Sequence, residues 1–201
     1  LDKAVYTYGD KLYLNITNKC RLDCAFCIRK KKQGLGDADS LWLEEEPSCA
    51  QILELVRERG PEKFSQIVFC GYGEPTERLH ELLTMAKELK KLPGCPPLRL
   101  DTNGLSSLAF GYDTAPDVAE RFDAVSVSLN APTAQEYAAV CPSPWGEDAF
   151  FAMLDFAKKI RKLVRDTQLT VVDYIGEEPV QRAKELAARL DIPLRVRQYQ
   201  E

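Results

Sequence analysis

Three cysteines, Cys20, Cys24 and Cys27, stand at intervals of four and three residues in the stretch "CRLDCAFCIR". Thiolate is a soft ligand that selects zinc, copper(I) or iron–sulfur clusters. Structural zinc is closed by four protein ligands, and only three are local here. The single histidine, His80, falls within a predicted helix and reads as a partly exposed helix residue; Cys70 is a conceivable fourth thiol. A cubane cluster, by contrast, is held by three thiolates and leaves one iron open to a small molecule, which is what a catalytic metal site needs. The bland readings of the triplet are structural zinc and chance spacing.

Four more cysteines are scattered at positions 49, 70, 95 and 141. An odd total argues against a disulfide framework, and a cytoplasmic setting with reduced thiols is expected. The ordinary reading of Cys49, Cys70, Cys95 and Cys141 is buried small hydrophobes; the sharper one is a second cluster. Cys141, in "VCPSPWG", is also a candidate catalytic thiol that faces the cavity and supplies a hydrogen atom or a radical. The net charge of −4 argues against a broad nucleic-acid or anionic-membrane footprint. No apolar run approaches the roughly 20 residues of a bilayer span, so no membrane partner is expected, and the opening "LDKAVYTYGDK" is too polar for a secretory leader.

The elements that must position these thiols follow from periodicity. "AVYTYGDKLYLNIT" reads as a hairpin about Gly9 and Asp10, leading into a first core strand, 12–17. A long polar and basic loop, from Asn18 to about Ser40, follows; loops of that length are usually functional. Ser48 with Gln51 three residues on is a capping box for a helix to about Arg59. Buried strands are read at "SQIVFCGYG", "LRLDTNG", "AVSVSLN", "LTVVDYI" and "LRVRQY". Helices are read at "TERLHELLTMAKELKKL", 116–121, 133–139, 146–164 and 179–190. Alternation at this spacing predicts a parallel sheet with helical crossovers, of about six units. A doubly wound sheet also fits, but the expected fold is a single-domain α/β partial (βα)6 TIM-like barrel with an N-terminal β-hairpin. The C-terminal strand ends then carry "TNKCRLDCAFC", "CGYGEPT", "DTNG" and "SLN" on one rim, where such folds place their sites.

At this point the chain resembles a known family. Cys20-x3-Cys24-x2-Cys27, with the aromatic Phe26 before the last cysteine, is similar to the signature of the radical S-adenosylmethionine (SAM) superfamily. "GYGEP" (71–75) resembles its glycine-rich motif after the second strand, "TNG" (102–104) the tripeptide after the third, and "SVSLNA" the segment that meets SAM ribose and carboxylate. "LYLNITNKC", "CIRKKK", "LWLEEEP", "CGYGEPT" and "LRVRQY" resemble, more narrowly, the small members described as TatD family-associated. The resemblance implies one radical SAM core domain over residues 1–201. It also implies a [4Fe–4S] cluster on Cys20, Cys24 and Cys27, SAM on the open iron, and cleavage of SAM to a 5′-deoxyadenosyl radical. The partners expected are a substrate that the sequence does not identify, with a macromolecule among the candidates, a reducing protein such as flavodoxin or ferredoxin, and a TatD-type hydrolase. Activases of glycyl-radical enzymes and carboxy-deazaguanine synthases are comparably compact members.

The candidate SAM contacts are Phe26, Gly71, Gly73, Glu74, Thr102, Asn103, Ser128 and Asn130. Glycines let backbone approach a ligand closely. Glu74 holds the turn or accepts from the SAM ammonium. Ser128 and Asn130 share a strand parity and so both point inward. Taken alone, "GYGEP" and "TNG" are also ordinary turns, and Ser128 and Asn130 ordinary strand-end caps. "RKKK" (29–32) is a solvated loop or a patch for a phosphate or an acidic electron donor. Arg195, Arg197 and Tyr199 share a parity on the last strand. They either face the barrel interior and bind a substrate anion or point outward. A non-enzymatic iron–sulfur or zinc protein that senses redox state is the alternative; it accounts for the cysteines but not for "GYGEP" or "SLN".

Overall fold

The computed structural model describes residues 3–30 and 34–199. Its seven strands are β1 (Val5–Tyr8), β2 (Lys11–Leu14), β3 (Gln66–Phe69), β4 (Leu98–Thr102), β5 (Ala124–Ser128), β6 (Asp166–Val172) and β7 (Leu194–Arg197). They lie in the order β1-β2-β3-β4-β5-β6-β7. β1 pairs antiparallel with β2 through the expected hairpin, Val5 opposite Leu14, and every later pair is parallel. A doubly wound sheet reverses its strand order partway. This order never reverses, so the crossovers wrap one way and the partial barrel is the fold.

Seven helices make the crossovers: α1 (Cys49–Arg59), α2 (Leu79–Leu89), α3 (Ser106–Phe110), α4 (Ala115–Arg121), α5 (Ala134–Val140), α6 (Asp148–Leu163) and α7 (Glu177–Arg189). α1 begins at Ser48, whose side chain accepts from the Gln51 amide while Gln51 caps Ser48 in return, as the spacing predicted. α2 buries Leu79, Leu82, Met85, Ala86 and Leu89 on one stripe. α6 buries Phe150, Met153, Phe156, Ala157 and Ile160. Those stripes close on the outward strand residues, and Phe69 meets Phe122 edge to face at 5.5 Å. Burying such a side chain contributes about 1.5–3 kcal/mol, so this one layer fixes the sheet.

Several boundaries differ from the periodicity; the first core strand, expected over 12–17, ends at Leu14. β6 starts at Asp166, three residues before the apolar "LTVV", and stops at Val172, where Asp173–Ile175 form a 3-10 turn. Short α3 follows the "TNG" turn, in a stretch for which the sequence predicted no element, and is held by Thr114, whose hydroxyl meets those of Ser106 and Ser107 at 2.6 and 3.0 Å.

Candidate active site at the strand rim

β2 stops at Leu14, and the chain turns across the barrel rim. Buried Asn15 fixes the turn: Nδ2 donates to the Lys3 and Leu41 carbonyls at 3.2 and 2.6 Å, and Oδ1 accepts from the Tyr72 amide at 3.3 Å. Asn18 then clasps Leu43, donating to its carbonyl at 2.8 Å and accepting its amide at 3.0 Å. Arg78 donates to the Ile16 and Pro47 carbonyls at 2.8 and 2.9 Å. None of these three stood out in the sequence.

Gly71 and Gly73 serve this loop. A Cβ on Gly73 would lie 2.3 Å from the Thr17 carbonyl oxygen and 2.7 Å from that of Lys19, and one on Gly71 would lie 2.0 Å from Asn15 Oδ1. The close approach predicted for a ligand is first an approach to the chain's own cysteine loop, sealed by the Glu74 amide on the Lys19 carbonyl at 2.8 Å.

The cysteine loop is clipped to the segment after α5. The Asp23 amide donates to the Pro142 carbonyl at 2.9 Å, and the Ala25 amide to that of Val140 at 2.8 Å. Between those two bonds Cys24 faces Cys141. The Cys24 thiol is raised, first by a hydrogen bond with Cys141 and then by burial. Cys20 is pushed up to about 12 by burial, then by the Glu74 charge; burial also raises Cys27. Arg29 and Lys30 oppose these shifts, Arg29 at all three thiols and Lys30 at Cys24 and Cys27. The basic pair thus acts on the thiols themselves. Lys31 and Lys32 of the same patch lie outside the described residues.

Cys141 has no exposed surface; Asn130 Nδ2 lies 3.5 Å from its sulfur. It sits behind Cys24 and not on an open cavity wall. Asn130 lies beyond the end of β5 with φ 60°, so the alternation that pairs it with Ser128 does not extend to it. Cys49 and Cys95 are half-buried and pack against the core.

Glu74 is the junction of two motifs. Its Oε1 accepts from the Thr76 amide at 3.1 Å and hydroxyl at 2.7 Å, and from the Thr102 hydroxyl at 2.7 Å; its Oε2 accepts from the Asn103 amide at 2.7 Å. Burial raises its carboxyl, and these donors pull the other way. Of the two roles read for it, holding the turn is the one its bonds describe, and it ties "GYGEP" to "TNG". Ser128 ends β5 on the inner side, half-buried. Phe26 meets Tyr174 at 5.8 Å, and Tyr174 meets Tyr199 at 5.0 Å. Tyr174 was missed because its 3-10 turn was read as strand.

The fit of an iron–sulfur cluster rests on the donors around the thiols. Among the described residues no three His, Cys, Asp or Glu side chains converge on a single ion; a cluster gives each thiolate its own iron, so its ligands stand apart. Tyr137 is wholly buried, and its hydroxyl has no partner among the described residues. The charges that act on it are those of Cys141, Cys24, Glu74 and Cys20. A buried unpaired hydroxyl costs about 1–3 kcal/mol, and a thiolate or sulfide acceptor relieves that cost. A basic pair that favours thiolate against the pull of burial, and an idle buried donor among the thiols, suit an anionic cluster.

A family model described as the radical SAM superfamily matches residues 14–190. A GTP 3′,8-cyclase of Moorella thermoacetica is 36% identical over 107 residues, 52% of this chain and 31% of that protein. A GTP 3′,8-cyclase of Clostridium perfringens strain 13 is 30% identical over 96 residues, 48% of this chain and 28% of that protein. The matched stretch is thus about a third of those relatives' length. Among solved structures, native anSMEcpe with bound AdoMet (that is, SAM) superposes with TM-score 0.64 at 18% identity, over 94% of this chain and 51% of that one. HydG, the FeFe-hydrogenase maturase of Carboxydothermus hydrogenoformans, gives 0.65 at 11% identity, over 95% and 44%.

Proposed function

Since this chain belongs to the radical SAM superfamily, whose cofactors are a [4Fe–4S] cluster and SAM, we propose that Cys20, Cys24 and Cys27 hold the cluster over the C-terminal rim. When bound, cluster and SAM supply a 5′-deoxyadenosyl radical for hydrogen abstraction from the substrate. The chain's own residues bind, orient and exclude water. Glu74 keeps the "GYGEP" and "TNG" turns in one piece, so that the backbone of Gly71 and Gly73 and the side chains of Asn103 and Ser128 face SAM. Phe26, backed by Tyr174, walls the adenine. Asn130 and Cys141 brace Cys24 from behind; we assign Cys141 this supporting place in preference to the delivery of hydrogen. The observation that carries the reading is the joining of three motifs at one rim: the cysteine loop rests on Gly73, and Glu74 bonds Thr102 and Asn103.

The finer partners belong to the same proposal. Residues 1–201 are read as one core domain. Arg29 and Lys30 beside the cysteines suit an acidic electron donor such as flavodoxin or ferredoxin. The reduced state of seven free thiols suits a cytoplasmic location. The stretches "CIRKKK" and "LWLEEEP" support membership of the TatD family-associated group, and with it a hydrolase partner. β1 and β7 do not pair among the described residues, and the open side suits a substrate larger than the barrel interior, a macromolecule included.

The test is anaerobic reconstitution, reduction with dithionite and addition of SAM. The wild type should be brown and form 5′-deoxyadenosine, and Cys24→Ala should do neither. A colourless protein with tightly bound zinc would sink the reading.

A further inference from the structure

The inner face of the sheet carries charge that the rim chemistry above does not use. Leu194 packs with the helices on the outer side, so Arg195 and Arg197, of opposite parity, turn inward. The charges that act on Asp101 confirm the direction: Arg197 is the strongest of them, followed by Arg99 and Arg195. Arg197 also acts on Tyr6, Tyr13 and Cys70 of the first strands, across the barrel. Parity thus decides between the two readings of the last strand, in favour of the interior.

Around Asp101 the layer is polar and incompletely paired. Gln168 Nε2 donates to Ser126 Oγ at 2.9 Å, and Arg99 Nη1 lies 3.4 Å from the same oxygen. Arg99 Nη2 reaches the exposed Asp166 at 3.5 Å. Arg99 Nε and Asp101 Oδ1 are buried without a partner among the described residues. Arg195 and Arg197 are exposed, and neither forms an ion pair with a described carboxylate, whereas Arg99 and Arg182 do. Two guanidiniums on one face of one strand repel each other, and the ion pairs found among the described residues involve neither. Guanidinium forks match phosphate and carboxylate bidentately.

Resting on the radical SAM reading of this site, we propose that the substrate carries an anionic group, a phosphate or a carboxylate, received by Arg195 and Arg197 inside the open barrel. Asp101 Oδ1 accepts an N–H or O–H next to that group. The arginines reach the interior from the strand whose Arg195 pairs in register with Thr170, one strand from Ser128. The anion is therefore held beside the rim where the radical forms, and its position selects which substrate hydrogen is presented.

The test is calorimetric titration of the cluster-loaded, SAM-bound protein with inorganic phosphate and, separately, with acetate. At least one anion should bind, and Arg195→Gln and Arg197→Gln should each weaken it ten-fold or more. Arg197→Lys, which keeps the charge and loses the fork, should fall between. Preference for phosphate marks a phosphorylated substrate, and preference for acetate a carboxylate. Circular dichroism checks that the variants fold. No heat from either anion, or equal affinity in wild type and Arg197→Gln, would overturn the proposal. Deoxyadenosine formation by the wild type is measured alongside. Its absence tells against the radical reading alone, because the titration decides the anion site whether or not SAM is cleaved.

Discussion

The outer and inner faces of this sheet are built from alternate residues of the same strands, yet they differ in kind. Toward the helices stand Leu12, Leu14, Ile67, Phe69, Leu98, Leu100, Val125, Val127 and Leu169, none more than 1% exposed. Toward the barrel axis stand Tyr13, Cys70, Arg99, Asp101, Ser126 and Gln168, with two buried polar atoms that lack partners among the described residues. An apolar face is free to pack at full density. A polar face that leaves donors and acceptors idle costs stability, so it is kept for what it binds. The fold rests on one face, and the site and its substrate rest on the other.

The largest effect that would sharpen this contrast is expected on the outer face. Phe69 is fully buried against Phe122. Phe69→Ala should cost about 3–5 kcal/mol, the usual range for an aromatic cavity, read as a fall in the urea midpoint at unchanged slope. A cost near zero would mean that the outer layer does not carry the fold.

The same contrast explains what could be read from the chain. The outer residues and α2, α6 and α7 repeat their apolar positions at the periods of strand and helix, so the six βα units and the hairpin were legible. The Ser48 and Gln51 capping box was legible because it is local. β6 was read three residues short because Asp166, Thr167 and Gln168 are polar: Gln168 serves the inner face, and Thr167, buried on the other side, bonds the Val164 carbonyl at 2.7 Å. The cysteines and "GYGEP" declared themselves by spacing. Asn15, Arg78 and Tyr174 did not, because their partners lie far along the chain. The bonds from Asn15 to Leu41 and from Arg78 to Ile16, for instance, span loops that periodicity does not describe.

The rim is where the two faces meet, and Gly73 tests it. An added methyl there meets the Thr17 and Lys19 carbonyl oxygens inside contact distance, and backbone does not yield as a side chain does. Gly73→Ala should cost about 1–3 kcal/mol, as overpacking does, or roughly 2–12 °C in Tm at this size. It should also lower cluster retention, because the loop that shifts is the one carrying Cys20. Full cluster content together with unchanged Tm would separate the glycine from the cysteine loop.

A further effect should follow pH, through groups that burial keeps protonated, the thiols first among them. Burial holds Cys20 and Cys70 up at about 12 in the folded chain, against about 8.5 for a free thiol. Between those values the folded state keeps protons that the unfolded chain has lost. Stability of the metal-free protein is therefore fully present below the unfolded value and declines as pH rises toward the folded one. Urea midpoints of metal-free protein at pH 7, 9 and 10 should fall in that order. Cluster loading deprotonates Cys20, Cys24 and Cys27 and releases protons, so the loaded protein should show a shallower decline. A flat metal-free profile would remove the burial assigned to these thiols.

The smallest effect is expected on the inner face, and it bears most directly on the comparison. Ser126 is buried and its oxygen accepts from Gln168, so Ser126→Ala strands that donor and loosens Arg99. In a sealed core the desolvation of such a group costs about 1–3 kcal/mol. Here Arg195 and Arg197 on the same face are exposed, Gln168 is half-buried and the barrel is open beside β7 among the described residues, so water can take the freed Gln168 donor. The expected cost is under about 0.5 kcal/mol, in the range of surface substitutions. A loss near 2 kcal/mol would mean that the inner face is sealed and structural, its charges buried for packing. Near-neutral stability with altered anion binding would mark it as a binding face that the fold tolerates because the outer layer carries the stability.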